Sequence, residues 1–246
     1  MQPIYSIEPE KYKLYRPNYG KDIYHYINEL VDFRGLAWDC ACGSGQVSSQ
    51  LARSFQQVMA SDIDSTMLAK APDCKNVEYH KADEEFSLLK NESVDFLSVA
   101  TAIHWLDRTK FFKEAKRVLK PGGVLGTWGY TGIDLHEDIN KTLKEIVQKY
   151  FMPYYPQNIK IAFERYEEIE LPFEPIDSPN FEVNQNWTFL DLKNYFLSFT
   201  AMQYYYLKHG ELAFDLFEDE LLEAWGGNPL EKKNLKWEIY TKFSRK

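Results

Sequence analysis

The residues best suited to chemistry in this 246-residue chain lie between Leu36 and Gly45, which reads Leu-Ala-Trp-Asp-Cys-Ala-Cys-Gly-Ser-Gly. A short apolar run ends in an acid, Asp39, and a turn of small residues follows. Gln46 to Phe55 then places Val47, Leu51 and Phe55 on one helical face. A strand, a tight loop and a helix start in that order let backbone amides approach a ligand closely. The pattern points to a nucleotide-like ligand, although a Gly-x-Gly pair also closes ordinary turns. A second apolar run, Gln57 to Asp62, ends in another acid 23 residues beyond Asp39. In doubly wound nucleotide-binding folds an acid at this distance accepts both hydroxyls of a ribose, since two donors match two carboxylate oxygens. A third acid, Asp83, follows the run Asn76 to His80 and is suited to a base amino group; Glu84 and Glu85 beside it can be plain surface acids.

These residues need a parallel sheet to position them. Strands are expected at 36–40, 57–62, 76–80, 93–100 and 124–128, alternating with helices that begin near Gln46, Thr66 and Thr109. Ser65 and Asp107 are the expected caps of the helices they precede. Right-handed crossovers bring the loops that leave the strands to one edge, where ligands bind. Thr101-Ala-Ile-His-Trp-Leu-Asp107 is such a loop. The amino-terminal stretch crowds Tyr12, Tyr15, Arg16, Pro17 and Tyr19, and a helix is expected at 21–33. It reads either as an arm packing its rings on the domain or as a flap with Arg16 facing an anion.

Beyond residue 150 the strand–helix rhythm stops and prolines accumulate. Asp134 with Glu137 and Thr188 with Asp191 read as capping boxes. Short strands are expected at 166–171 and 181–186. An aromatic helix is expected from 189 to about 207, an acidic helix at 211–225 and a last strand at 235–243. The domain reading is an arm and helix over the active site (1–35), a cofactor core (36–150), a mostly helical substrate lid (151–225) and a carboxy-terminal strand completing the sheet (226–246).

The net charge of -8 argues against nonspecific nucleic-acid binding, which depends on lysine and arginine displacing counterions. No run of about 18 apolar residues is present to span a membrane, and the first residues lack a secretory pattern. Three cysteines, Cys40, Cys42 and Cys74, fit free thiols in a reducing compartment, hence a cytoplasmic location, and make no zinc pattern.

Taken together, Tyr12 to Tyr19, Asp39 to Gly45, Ser61-Asp-Ile-Asp64 with Met67-Leu68, Thr101 to Asp107, Arg117 to Gly123 and Lys236 to Tyr240 resemble the class I methyltransferases that use S-adenosylmethionine. Within them the chain looks most like the small-molecule branch that includes trans-aconitate methyltransferase. The resemblance implies an α/β fold, a doubly wound, mostly parallel seven-stranded sheet with a helical lid. It implies that Asp39 and the backbone of Ala41, Gly43 and Gly45 lie along the methionine part of the cofactor. Asp62 would hold the ribose, Ile63 the adenine face, and Asp83 with the backbone of Glu84 the adenine edge. Ala100 would pass the cofactor, and His104 and Trp105 would face the substrate. Two residues depart from the family pattern. Ala41 replaces the first loop glycine, which is tolerated if its φ is negative, and Leu106 replaces an aromatic.

A sulfonium methyl needs an in-line nucleophile and exclusion of water more than acid–base help. A carboxylate acceptor is already ionised. Its anionic groups would be held by Arg16, Tyr12, Tyr15, Tyr130 and His104, with Trp105 and Trp128 lining the cavity near the methyl group. Ordinary core packing is the competing reading for Trp128 and His104. The expected activity is therefore methylation of a small carboxylate with S-adenosylhomocysteine as product, by a monomer or homodimer, with no metal, nucleic-acid or membrane partner. The alternatives are O- or N-methylation of an apolar, aromatic or lipid-like metabolite, and a noncatalytic S-adenosylmethionine-binding protein. A nicotinamide-dependent oxidoreductase shares the glycine loop and distal acid but not the later segments.

Overall fold

The computed structural model describes residues 15–83 and 87–246. Its chain divides into two compact units. The larger takes in residues 19–131, 160–181 and 238–246; the other takes in 15–18, 132–159 and 182–237.

The larger unit is built on strands β1 (Leu36–Cys40), β2 (Gln57–Asp62), β3 (Val77–Lys81), β4 (Val94–Ala100), β5 (Leu119–Tyr130) and β6 (Glu174–Ile176). Strand β7 is Phe181–Trp187, and the last strand, β8, is Lys233–Arg245. The sheet order is β3-β2-β1-β4-β5-β8-β6, with β7 paired to β8, so the described residues form eight strands where seven were expected. The first five are parallel, and β8 returns antiparallel to β5. β4 is buried along six of its seven residues, as a central parallel strand covered on both faces must be.

One face carries a stack of rings. Phe55 lies 5.9 Å from Phe96, Phe96 lies 6.5 Å from Phe243, and Phe243 lies 6.1 Å from Trp128. Helix α1 (Asp22–Leu30) covers this face with Ile23 and Ile27, four residues apart and both fully buried, while Tyr26 meets Phe243 edge-on at 5.4 Å. Helices α2 (Gln46–Leu51) and α3 (Ser65–Leu68) follow β1 and β2. The cap of α3 is Asp64, which accepts from Thr66 N–H, and not Ser65. Helix α4 (Arg108–Val118) is capped by Asp107 as expected and buries Phe111, Ala115 and Val118 on the opposite sheet face, beside Trp38 and Leu97.

Residues 166–171 are not a strand. Helix α6 (Ile159–Phe163) ends in a turn in which both Arg165 and Tyr166 hold left-handed φ values, 56° and 58°, and Tyr166 is driven into the core.

In the other unit, helix α5 (Glu137–Ile146) runs into a wider turn at Val147–Phe151. The Asp134–Glu137 capping box does not form. Asp134 instead bridges to Lys236, and Asn140 reaches back to accept from Leu135 N–H and donate to Asp134. The Thr188–Asp191 box does form, at the start of α7 (Phe189–Leu197). The aromatic helix is two helices, α7 and α8 (Thr200–His209), separated at Ser198–Phe199. The acidic segment likewise divides into a short 3-10 turn at Ala213–Leu216 and α9 (Glu218–Ala224). Phe151, Phe196, Phe214 and Phe217 pack on one another with ring centroids 4.9 to 6.3 Å apart, so most of the aromatic content here is core.

Candidate functional site

Asp39 ends the apolar part of β1 and is almost fully buried. It lies opposite Ser98 of β4, whose hydroxyl donates to one carboxylate oxygen at 2.8 Å. The Ser48 hydroxyl donates to the other oxygen at 2.5 Å, and Ser48 N–H donates as well. Gly45, the residue before α2, has no side chain to cap the helix, so Asp39 satisfies an amide of its first turn from the strand below. Burial raises the Asp39 pKa from 3.8 to about 6, offset in part by the serine hydrogen bonds, with the Asp62 charge adding to the rise. Among the described residues no basic group acts on it. Tyr24 of α1 is near enough that the Asp39 charge helps burial raise its own pKa.

The loop from Ala41 to Gly45 turns through three left-handed residues: Ala41 at φ 55°, Gly43 at 55° and Gly45 at 73°. The condition under which alanine replaces the loop glycine without strain, a negative φ, is therefore not met. Alanine here takes a conformation natural to glycine, at a cost of about 1 kcal/mol. Gly45 is constrained by contact as well, since a Cβ there would sit 2.7 Å from the Tyr79 hydroxyl. That hydroxyl is buried without a partner, and burial raises its pKa.

Asp62 at the end of β2 is tied to this loop. One carboxylate oxygen accepts from Gly43 N–H at 2.7 Å, and the other accepts from Asp64 N–H at 2.8 Å. Each oxygen has a second lone pair. Burial raises the Asp62 pKa, and the amide hydrogen bonds pull the other way. Ile63 next to it leaves its side chain 60% exposed at this edge. Asp83 is exposed, one residue beyond Ala82, whose N–H donates to the Asp62 carbonyl. Glu84 lies outside the described residues.

Ala100 ends β4 opposite Trp128. Thr101 follows at φ 51°, a strained value for a β-branched residue, with its N–H donating to the Trp128 carbonyl at 2.7 Å and its hydroxyl bonded to the Tyr19 hydroxyl at 2.7 Å. Tyr19 meets Trp128 edge-on at 5.9 Å and lies 6.0 Å from Tyr130, so the ends of β4 and β5 carry an aromatic group. Trp128 is fully buried, and its indole N–H has no partner. The next turn, Ile103–Trp105, buries His104 and leaves Trp105 36% exposed. His104 Nδ1 is 2.9 Å from the Tyr166 hydroxyl, and burial lowers its pKa to about 4, so the ring is neutral near pH 7.

Arg16 and Tyr15 belong to the other unit. The Arg16 guanidinium lies 4.5 Å over the Phe199 ring and donates to the Ser198 carbonyl at 3.2 Å, and its charge bears on the buried Tyr155 hydroxyl. Tyr15 is half-buried, and Tyr12 lies outside the described residues.

The larger unit thus brings Asp39, Ala41, Gly43, Gly45, Asp62 and Ile63 to the carboxyl edge of β1 and β2, and Ala100, Trp128, Tyr130, His104 and Trp105 to that of β4 and β5. Ser48, Ser98, Tyr79 and Tyr166 escaped the sequence reading as site residues, and Tyr19 and Thr101 entered it only as members of the amino-terminal stretch and of the loop after β4. Ser98 was accessible in principle, since strand register alone sets it against Asp39. A buried acid, Asp39, and a half-buried one, Asp62, with no basic group acting on either among the described residues, suit a ligand that brings positive charge, and the remaining acceptor capacity of Asp62 suits a vicinal diol. S-adenosylmethionine carries both. Among the described residues no three His, Cys, Asp or Glu side chains are grouped to hold a metal ion. Nor is any described helix long and apolar enough to cross a membrane.

A family model described as a methyltransferase domain matches residues 38–127. A Dictyostelium discoideum protein named as a methyltransferase is 25% identical over 96% of this chain and 92% of its own length. A Saccharomyces cerevisiae protein named as an S-adenosylmethionine-dependent methyltransferase is 27% identical over 61% of this chain, but only 56% of its own. The solved structure of a protein described as a type II methyltransferase, from Anaeromyxobacter dehalogenans, superposes with a TM-score of 0.85 at 26% identity, covering 94% of this chain and 97% of that one. On the glycine loop, the ordered sheet and these full-length likenesses, the chain is a class I S-adenosylmethionine-dependent methyltransferase with the Rossmann-like fold of that superfamily.

Proposed function

We propose that the small molecule methylated is a carboxylic acid and that the product is its methyl ester. The observation that carries this reading is that, among the described residues, the titratable group where β4 and β5 end is a histidine that is not ionised near pH 7. His104 is buried, neutral and tied to Tyr166, and the neighbouring groups are rings and hydroxyls. An acceptor that arrives ionised needs no proton removed, so the site has only to orient it and keep water out. The cofactor supplies an electrophilic methyl on a sulfonium leaving group. In this reading Asp62 holds the ribose hydroxyls, Asp39 supplies negative charge near the methionine end, Ile63 covers the adenine and Asp83 with the Glu84 backbone meets its edge. The backbone of Ala41, Gly43 and Gly45 and the end of β4 at Ala100 flank the cofactor.

Arg16 is the cation assigned to the remaining anionic group of the acid, with Tyr12, Tyr15 and Tyr130 as hydroxyl donors and Trp105 and Trp128 as walls. The stretch 151–225 is assigned to the substrate. The runner-up reading, an apolar or aromatic acceptor, loses support because the rings of α7 are spent on core packing. A methyl-transfer screen against small carboxylic acids and apolar hydroxy compounds, read by formation of S-adenosylhomocysteine, tests the assignment. Turnover confined to acids, abolished by Arg16→Ala with cofactor affinity intact, is the expected result. Turnover confined to apolar hydroxy compounds overturns it.

A further inference from the structure

A cavity opens at the end of the strands away from Asp39 and Asp62. It lies within the larger unit, has a volume of about 520 Å³, and is lined where β1, β2 and β3 begin and where the chain runs into β4. Small-molecule sites occupy about 300–1,000 Å³. Leu36 stands three residues before Asp39 on β1, and Met59 three residues before Asp62 on β2. Each is therefore about 10 Å along its strand from the acid, and the odd spacing puts it on the other sheet face. Leu36 and Met59 pack against the core that holds Trp38, remain only part-buried, and line the cavity.

A third apolar residue completes this wall under strain. Leu88 holds a left-handed φ of 60° and leaves its side chain 76% exposed, two unfavourable features in one residue. Both neighbours pin it there. Ser87 donates its N–H at 3.0 Å and its hydroxyl at 2.6 Å to Glu114 of α4, and Arg117 of the same helix donates to the Leu89 carbonyl at 2.8 Å. Strained residues that their surroundings over-determine cluster at ligand sites. The rim is basic in an acidic chain. Lys75 and Lys90 line the cavity, both are exposed, and among the described residues neither side chain has a hydrogen bond or an ion pair. Glu78 is the acid of the lining, and its Oε2 lies 3.5 Å from His80 Nε2.

We propose that this cavity is a binding site, separate from the methyl-transfer site, for a small amphipathic anion. Its apolar body covers Leu36, Met59 and Leu88, and its anionic head meets Lys75 and Lys90. The apolar wall alone would suit occupants of any charge. The two unpaired lysines select the sign of the head, because each gains a partner that it lacks in the free protein. A cavity of this size takes one small molecule and not a folded partner, whose contact would spread over about 800 Å² of surface. The site stands whatever molecule is methylated.

The test is a titration with 1-octanesulfonate followed in the methyl proton–carbon spectrum, with Met59 assigned through Met59→Leu. The proposal expects a saturable shift of the Met59 methyl with a dissociation constant of about 1 mM or tighter, as a ligand of about twelve heavy atoms allows. Saturating S-adenosylhomocysteine should not change it. The double variant Lys75→Ala/Lys90→Ala should bind about five- to thirtyfold more weakly. The cation octyltrimethylammonium should leave the Met59 methyl unmoved over the same range. A methyl that does not move at about 10 mM octanesulfonate overturns the site. A shift that S-adenosylhomocysteine abolishes assigns the molecule to the cofactor edge and overturns the site as well. Equal binding of the cation, or unchanged affinity in the folded double variant, overturns the anionic head. If the double variant does not fold, the comparison of the two head groups decides.

Discussion

Asp62 couples two loops as well as facing the ligand edge. Its oxygens accept from Gly43 and Asp64 amides before any ligand arrives. Asp62→Ala should therefore weaken S-adenosylmethionine binding by at least about tenfold in calorimetry, since it removes the partner of two hydroxyls and loosens the loop they lie on. Asp62→Asn should fall between the two, because its amide keeps one acceptor oxygen. Ala41 makes a second case. Its φ of 55° means that glycine suits the position better, and Ala41→Gly is expected to stabilise the protein by about 0.5–1 kcal/mol in denaturant titration. A destabilised variant would show that the alanine methyl packs usefully enough to outweigh the strain. Asp62 was legible in the sequence because an acid ending an apolar strand is rare and its distance from the first such acid is set by one strand–helix repeat. Ser48 and Ser98 were not, because a single hydroxyl on a helix or strand makes no pattern until register sets it against a carboxylate.

Among elements, the junction of β1 and α2 is the most demanding. Gly45 combines a left-handed φ of 73° with contact from Tyr79 of β3. Gly45→Ala should cost about 2–3 kcal/mol, as strain and overpacking together. Tyr79→Phe removes a buried, unpartnered hydroxyl and should be neutral or stabilising by itself. In the double variant it should recover part of the Gly45→Ala loss, a coupling that a thermal-melt double-mutant cycle reads directly. Strict additivity would show that the cost at Gly45 is backbone strain alone.

The strand–helix alternation from 36 to 128 was readable because each strand is an apolar run and each helix carries a stripe. The misreadings share another cause. Residues 166–171 look like a strand by alternation, yet two left-handed residues turn the chain at 165–166. The aromatic run 189–207 has the composition of one helix but breaks at Ser198–Phe199, and Asp134 was drawn from its capping role by pairing with Lys236. In each case a partner distant in sequence or a left-handed backbone overrode the local signal.

At the scale of the whole molecule, the chain interleaves its units, leaving the larger one at residue 132 and returning to it in 160–181 and 238–246. No local pattern announces those crossings, so the parallel strand–helix alternation was legible from sequence while the membership of the units was not. The chain carries a net charge of -8 and places Asp39 and Asp62 at the ligand edge, with no basic group acting on either among the described residues. This gives binding a pH dependence. Folding raises the Asp39 pKa from 3.8 to about 6, so the folded form takes up its proton more readily, and unliganded stability falls as pH rises through that window. Binding of a cationic ligand beside Asp39 has the opposite sign, because it favours the ionised carboxylate. Affinity for S-adenosylmethionine should therefore weaken by about tenfold per unit as pH is lowered below 6, and the neutral-sulfur product S-adenosylhomocysteine should show a shallower decline. Parallel declines for the two ligands would remove Asp39 from the cation's surroundings.

The central claim is that a sulfonium donor lies across the carboxyl ends of β1 and β2, against Asp39 and Asp62. Calorimetric titration of the unaltered protein and of Asp62→Ala with S-adenosylmethionine at pH 7.5 tests it most directly. The account predicts saturable one-site binding by the first and a dissociation constant at least about tenfold higher for the second, with both proteins folded. No heat from the unaltered protein, or equal affinity in the two, would contradict it.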